Sequence, residues 1–348
     1  MPRTMSAYRI TAWEQPPALV EVEVPEAGPG EIVVEVAGNG LCHSDVIMGQ
    51  MPASIGEAIG WTVPFTLGHE TAGVVAAIGP GVTRVAVGMP VACMSPTSCG
   101  ACDPCVRGHD NCCPHGVVGR GYGLDGGLAS FVRVRSEREL VPLRSLDPAV
   151  AGVLTDAGAT SYHAVARVLP RVHPGSTVVV IGAGGLGSFA VQHLRALSAA
   201  NVVVVDQNPA RLDYAIELGA HEAIPGVESD TVRALRKLVP NGAAAVLDFV
   251  GTDDTIRCGL ATTGVLGAFG LVGAGGGGVG GHWQSLLPRG GEVFTFQGPT
   301  IADTRAVIAL AEAGRVRIDV ERYALADVAT AYADLESGAL RGRAVVIP

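Results

Sequence analysis

The sequence predicts an α/β chain of two domains, a β-rich domain followed by a doubly wound parallel sheet. Three observations carry that prediction. The chain has 348 residues, more than one hydrophobic core usually serves. Residues 1–150 hold short alternating runs broken by glycine and proline, whereas apolar strands alternate with helical stretches from Ser176 to Phe296. Between the first of those strands and its helix stands a glycine triplet, Gly182-x-Gly184-x-x-Gly187.

The β-rich part is built from LVEVEV, EIVVEVAG, TAGVVAAIG, MPVACMS and LASFVRV, strands dense enough in turns for a partly closed barrel. The second part runs TVVVIG, SFAVQHLRAL, VVVVD, ARLDYAIELG, TVRALRKLV, AAVLDFVG and VLGAFGLVG. Strand and helix at that rhythm mean parallel strands joined by right-handed crossovers. GEVFTFQG then supplies a strand for the sheet edge, where pairing or cover is usual. Beyond Gln297, a helix in TRAVIALAEAG and short strands at Val316–Tyr323 and Ala344–Ile347 are too few for a third domain. They are expected to pack back onto the first, giving domains of 1–155 with 299–348, and of 156–298.

Composition excludes several classes of function. Hydrophobic residues make up 48% and charged residues 16%, which is globular rather than disordered. A net charge of -9 disfavours nucleic acid and anionic membrane, both of which want a basic face. The opening MPRTMSAYRITAWEQ has no apolar run of the secretory kind. Cys258 to Gly281 lacks charge, but glycine is too dense there for a membrane helix, and a buried strand running into a glycine loop is expected. A cytoplasmic chain follows, and in a reducing compartment clustered cysteines bind metal more often than they form disulfides.

The glycine triplet lies between an apolar strand and a helix. Gly182 suits the tight turn, Gly184 lets a pyrophosphate approach the backbone, and Gly187 lets helix and strand pack closely. Gly185 and Leu186 complete a turn whose N–H groups and helix dipole face the phosphates. VVVVD ends in Asp206, whose carboxylate accepts from ribose hydroxyls and repels a 2′-phosphate, favouring NAD over NADP. Asp206 as a helix cap is the plainer alternative. Arg211 is expected to stack on adenine, although it could attract a 2′-phosphate.

CGACDPCVRGHDNCC holds five of the chain's eight cysteines. Cys99-x2-Cys102-x2-Cys105 with Cys113 reads as four thiolates around one zinc, a saturated tetrahedron that leaves no position for substrate. Spacing alone does not choose Cys113 over Cys112.

At GLCHSDV and LGHETAGVVAAIGPGV the chain comes to resemble the zinc-dependent medium-chain alcohol dehydrogenases. GHE-x2-G-x5-G-x2-V from Gly68 to Val82, the preceding CHSD, the cysteine lobe and the glycine fingerprint follow that family's order across essentially the whole chain. VLTDAG around Asp156 and the ending RGRAVVIP look most like bacterial secondary-alcohol dehydrogenases of broad substrate range. The resemblance implies a GroES-like catalytic domain with two zincs, a Rossmann coenzyme domain, and an active site in the cleft between them. It selects Cys113 over Cys112 for the structural zinc. It makes Cys42, His69 and Asp156 the catalytic zinc ligands, with Asp156 where many relatives carry cysteine. One thiolate and one carboxylate still neutralise the ion and leave it a Lewis acid. Without the resemblance, Cys42 would read as a buried thiol and Asp156 as a helix-start residue.

Further roles rest on the same resemblance. Asp45 orients the ligand histidine, Glu70 can approach the metal during ligand exchange, and His43 stands near the cofactor phosphates or at the surface. Ser44 matches a hydroxyl relay for the alcohol proton, while hydride passes between the substrate carbon and NAD(H). Where many relatives continue the relay with histidine, this chain has Ile47, which leaves the outer end of the path open. Ile47, Trp61, Tyr122 and Leu124 fall in segments that line the pocket in relatives, though each also suits a core. A homodimer or homotetramer is the family's habit. A polyol, aldehyde or biosynthetic-intermediate dehydrogenase of the same family is the nearer alternative. A zinc-ribbon binding protein with a nucleotide-sensing domain is the distant one.

Overall fold

The computed structural model describes residues 3–95, 97–116, 118–227 and 229–348. The chain forms two compact units: Met1–Ala159 with Gly298–Gly314 and Ile318–Pro348, and Thr160–Gln297 with Arg315–Arg317.

The first unit is built on a sheet of seven strands. In order these are Leu140–Pro142, Pro90–Cys93, Glu70–Ile78, Ile32–Gly40, Arg343–Ile347 and Val320–Ala324, with Phe131–Val134 also pairing with Ile32–Gly40. Val34, Val36, Val75, Val91, Val132 and Val134 bury one core against it. These are β-branched residues at the alternating spacing that the sequence shows. Antiparallel pairing sets Gly40 opposite Glu70 and Val345 opposite Gly40. The segments just beyond, at Cys42 and His69, therefore emerge side by side, and Arg343 arrives from the far end of the chain. A smaller sheet runs Ala18–Glu23, Thr4–Ile10 and Phe65–Thr66.

In the second unit six strands pair in parallel, in the order Glu222–Pro225, Asn201–Asp206, Thr177–Ile181, Ala243–Asp248, Thr263–Leu271 and Glu292–Phe294. Numbered within the unit, that order is 3-2-1-4-5-6, the doubly wound arrangement with its switch point beside the first strand. Valines 178 to 180 and 202 to 205 are buried on both faces, as a parallel sheet between helices requires. GEVFTFQG occupies the sheet edge as expected.

Several elements differ from the sequence expectation. LASFVRV is a strand only over Phe131–Val134, because Leu128 instead bonds through its backbone to Tyr8 and Leu67. The strand expected from Val316 starts at Val320, since Arg315–Arg317 run with the second unit. Among the elements that were not expected are the strands Thr4–Ile10 and Glu222–Pro225 and the helix Val328–Ser337. Among the described residues no helix is long and apolar enough to cross a membrane. The uncharged stretch from Cys258 instead ends one helix and forms the strand Thr263–Leu271 before the glycines.

Candidate active site

Cys42 caps the short helix His43–Gly49, and its backbone N–H donates to Asp45 Oδ2 at 3.1 Å. The other oxygen of Asp45 lies 3.1 Å from His69 Nδ1. A carboxylate can only accept here, so Nδ1 carries the proton and Nε2 is left with its lone pair outward. That nitrogen lies 3.4 Å from Asp156 Oδ2. The donor atoms of Cys42, His69 and Asp156 all fall within 4.8 Å of one another. Two ligands at about 2.0–2.1 Å from a tetrahedral zinc stand roughly 3.4 Å apart, so the histidine–aspartate pair already has that spacing. Burial opposes a charge on His69, but Tyr122, Asp45 and Asp156 outweigh it and raise its pKa well above the ordinary value. The pocket thus favours a cation at this imidazole, which a metal supplies. Residues and geometry fit zinc.

Behind the histidine, Glu70 is fully buried. Its Oε1 accepts from Arg343 Nη2 at 2.5 Å and from the Ala157 N–H at 3.2 Å. Arg343 also donates to the Leu41 carbonyl at 2.7 Å. Burial pushes the Glu70 carboxyl up to about 7 against the pull of Arg343. Gly40 makes room for it, because a Cβ there would fall 2.0 Å from Glu70 Oε2. Neither Arg343 nor Gly40 was singled out as a site residue. The available signal was an arginine opening the otherwise apolar strand RAVVI.

In front of the histidine, Ser44 Oγ lies 3.5 Å from His69 Nε2 and 3.0 Å from the Tyr122 hydroxyl. The same hydroxyl is 3.2 Å from Nε2. Burial raises the Tyr122 phenol well above its usual pKa, so it stays protonated. Trp61 packs on Tyr122 with ring centroids 5.8 Å apart and is itself a core residue. Ile47 and His43 are exposed, and Leu124 lines a cavity of about 340 Å³ with Arg9, Arg120 and Glu139.

The cysteine lobe brings the Sγ atoms of Cys99, Cys102, Cys105 and Cys113 within 4.8 Å of one another. Cys102 Sγ and Cys113 Sγ are 3.8 Å apart. A disulfide needs about 2.05 Å, whereas a tetrahedron with metal–sulfur bonds of about 2.3 Å has edges near 3.8 Å. The N–H groups of Ala101 and Cys102 point at Cys99 Sγ and hold that thiol down at about 6. Cys112 is exposed and outside the group, so geometry makes the choice that spacing left open.

In the second unit, Gly182 has φ +88 and closes the turn after Thr177–Ile181. A Cβ at Gly187 would sit 1.8 Å from the Gly182 carbonyl oxygen. A Cβ added at Gly184 would meet nothing nearer than the Arg211 guanidinium at 3.8 Å, so the backbone there is open to a ligand. Leu186 caps the helix Gly187–Leu197, and the Gly185 carbonyl accepts from Ser188 Oγ. Asp206 accepts from the N–H of Ala183 at 2.7 Å and of Asn208 at 2.8 Å, one on each oxygen. Each oxygen keeps a lone pair for another donor. The next helix is capped by Asn208, which removes the helix-cap alternative for Asp206. This cradle fits a dinucleotide.

Comparison with known proteins finds matches in both parts of the chain. Residues 28–145 match the family described as alcohol dehydrogenase GroES-like domain, and residues 185–313 match zinc-binding dehydrogenase. An NAD-dependent alcohol dehydrogenase of Sulfurisphaera tokodaii is 31% identical over 99% of this chain and 100% of its own length. A D-arabinose 1-dehydrogenase (NADP(+)) of Saccharolobus solfataricus is 28% identical over 98% of this chain and 97% of its own. The structure of acetophenone reductase from Geotrichum candidum in complex with NAD superposes with a TM-score of 0.87. It is 27% identical and covers 100% of this chain and 98% of its own.

Proposed function

We propose that this chain, which belongs to the zinc-dependent medium-chain alcohol dehydrogenases and is an NAD(P)-linked oxidoreductase, uses NAD to interconvert secondary alcohols and ketones. The observation that carries the reading is the convergence of Cys42, His69 and Asp156, with the Ser44 hydroxyl 3.5 Å from His69 Nε2. Zinc on these three residues supplies a Lewis acid toward the substrate oxygen, and NAD supplies the hydride acceptor. Asp45 fixes the histidine tautomer, and Ser44 accepts the proton of the alcohol while passing its own on toward the nicotinamide ribose, or the reverse for the ketone. Gly184, the N-terminus of the helix Gly187–Leu197 and Asp206 hold the dinucleotide, with Arg211 beside them. The bacterial secondary-alcohol motifs at Asp156 and the C-terminus, and the likeness to an acetophenone reductase, favour ketones. The reading takes the chain as cytoplasmic, where thiolates stay reduced, and as a homodimer or homotetramer paired along the edge strand Glu292–Phe294.

A second reading has a specific observation behind it. The likeness to an NADP-linked D-arabinose dehydrogenase, with Arg211 beside Gly184, favours a sugar or polyol and a 2′-phosphate. Zinc analysis per chain, with NAD⁺ and NADP⁺ assays on 2-alkanols, aryl ketones, polyols and D-arabinose, separates the two. Two zincs and NAD-linked turnover of 2-alkanols support the first reading, whereas preference for NADP and D-arabinose replaces it with the second.

Two substitutions probe the separate sites. Ser44→Ala is expected to lower turnover by roughly tenfold or more with zinc content unchanged. Near wild-type turnover would remove Ser44 from the mechanism. Cys113→Ser is expected to cost one of two zincs and the stability of the lobe, while Cys112→Ser costs neither. Atomic emission analysis of both variants decides it, and equal zinc in both would dissolve the four-thiolate assignment.

A further inference from the structure

We propose that Tyr122 is a positioning residue for Ser44, donating its hydroxyl proton to Ser44 Oγ and so turning the serine proton toward the substrate oxygen. The inference rests on the function proposed above and gives the hydroxyl of Tyr122 a task that its ring does not share.

The Tyr122 hydroxyl, Ser44 Oγ and His69 Nε2 form a closed triangle with sides of 3.0, 3.2 and 3.5 Å. With the Nδ1 proton directed at Asp45, Nε2 is the one corner that can only accept. A nitrogen that ligates a metal has no lone pair left for a hydroxyl, and within the triangle each hydroxyl then has only the other as partner. Two arrangements remain. If Ser44 donates to Tyr122, its proton is turned away from a ketone oxygen. If Tyr122 donates to Ser44, the serine proton is free for that oxygen. In the first arrangement the phenol proton has no acceptor within the triangle, whereas in the second the tyrosine proton has Ser44 and the serine proton has the substrate oxygen, which favours the second. Proton transfer itself belongs to Ser44, which gives up one proton as it gains another through the relay proposed above, and Tyr122 keeps its own proton.

The ring is fixed independently of the hydroxyl. It lies 4.6 Å from the His69 ring at an interplanar angle of 34° and packs on Trp61. A phenylalanine at 122 would keep that packing and lose only the donor. This also bears on Ile47, which is exposed and offers no hydrogen bond. The polar partner of Ser44 comes from Tyr122, 78 positions along the chain rather than three.

The test uses the zinc-loaded enzyme with an alcohol and a ketone that the wild type turns over. Tyr122→Phe should lower kcat about tenfold with KM within about twofold and zinc content unchanged. Ser44→Ala should lower kcat at least as much, and the double variant should be no slower than Ser44→Ala alone, because the tyrosine acts only through the serine. A binding measurement free of turnover accompanies it. N-propylformamide, an unreactive carbonyl, should bind the enzyme–NADH complex about fivefold more weakly in Tyr122→Phe than in wild type. Adding Tyr122→Phe to Ser44→Ala should change that affinity no further. A Tyr122→Phe kcat within twofold of wild type overturns the proposal, as do losses that multiply in the double variant. Loss of zinc from Tyr122→Phe also overturns it, since the residue would then serve to support His69. A wild type that turns over no alcohol or ketone overturns the proposed function as well. An active wild type with an equally active Tyr122→Phe overturns only this inference.

Discussion

Replacing Asp156 with serine is expected to remove one zinc per chain and lower turnover by about a thousandfold or more, while thermal stability changes little. The size follows from the Lewis acid, which contributes several kcal/mol of transition-state stabilisation, and each 1.36 kcal/mol is about tenfold in rate. Serine is chosen because Asp156 immediately precedes the helix Ala157–Val168, where a side-chain oxygen can cap. Serine keeps that capacity and lacks the charge. A carboxylate that merely starts a helix would thus be replaced without loss of metal. A carboxylate that balances the ion's charge beside the Cys42 thiolate would not. Asp156→Cys is the complementary variant, since it restores an anionic donor and should retain the zinc. Zinc content, turnover and melting temperature measured together decide the matter. An Asp156→Ser enzyme that keeps both zincs and its turnover would show that the carboxylate is not a ligand.

What the sequence made legible was whatever lies in short, fixed spacing. The glycine triplet, GHE and the three cysteines two residues apart each depend on one turn of backbone, and their neighbours in sequence are their neighbours in space. The parallel strands were equally plain, because burial on both faces writes continuous valine runs. Partners brought together by sheet register left no such trace. Arg343 reaches Glu70 across 273 positions, through pairing of the C-terminal strand with Ile32–Gly40. Tyr122 was visible as an aromatic residue in a pocket-lining segment, but its hydroxyl bond to Ser44 depends on how a loop returns. The helix Val328–Ser337 was missed for a different reason. Its buried Val328, Ala331, Tyr332 and Leu335 do recur at helical spacing, but small residues dilute the stripe.

Arg343→Met is expected to destabilise the first unit by up to about 3–5 kcal/mol above pH 7, the cost of leaving a buried charge without its partner, and by less as the pH falls and Glu70 takes up a proton. The Glu70 side chain has no solvent exposure and that of Arg343 only 5%. Water therefore cannot replace the lost guanidinium. Nor can the neighbours, because among the described residues the remaining donor on Glu70 is the Ala157 N–H, and Oε2 has no partner. Methionine fills much of the arginine volume, so the loss reports the charge rather than a cavity. The double variant Arg343→Met/Glu70→Leu should recover most of the stability, since a buried pair exchanged for apolar side chains is often neutral. Trp13 and Trp61 belong to the first unit and Trp283 to the second, so tryptophan fluorescence through a urea titration in a Trp283→Phe background follows the unfolding of the first. A loss below about 1 kcal/mol in Arg343→Met would place the pair among weakly coupled surface ion pairs. A double variant no better than the single one would mean that the guanidinium matters through its bond to the Leu41 carbonyl instead. If the recovery is seen and zinc is retained, Glu70 and Arg343 brace the wall behind His69. Their joint effect on turnover then measures how much the metal site depends on that wall.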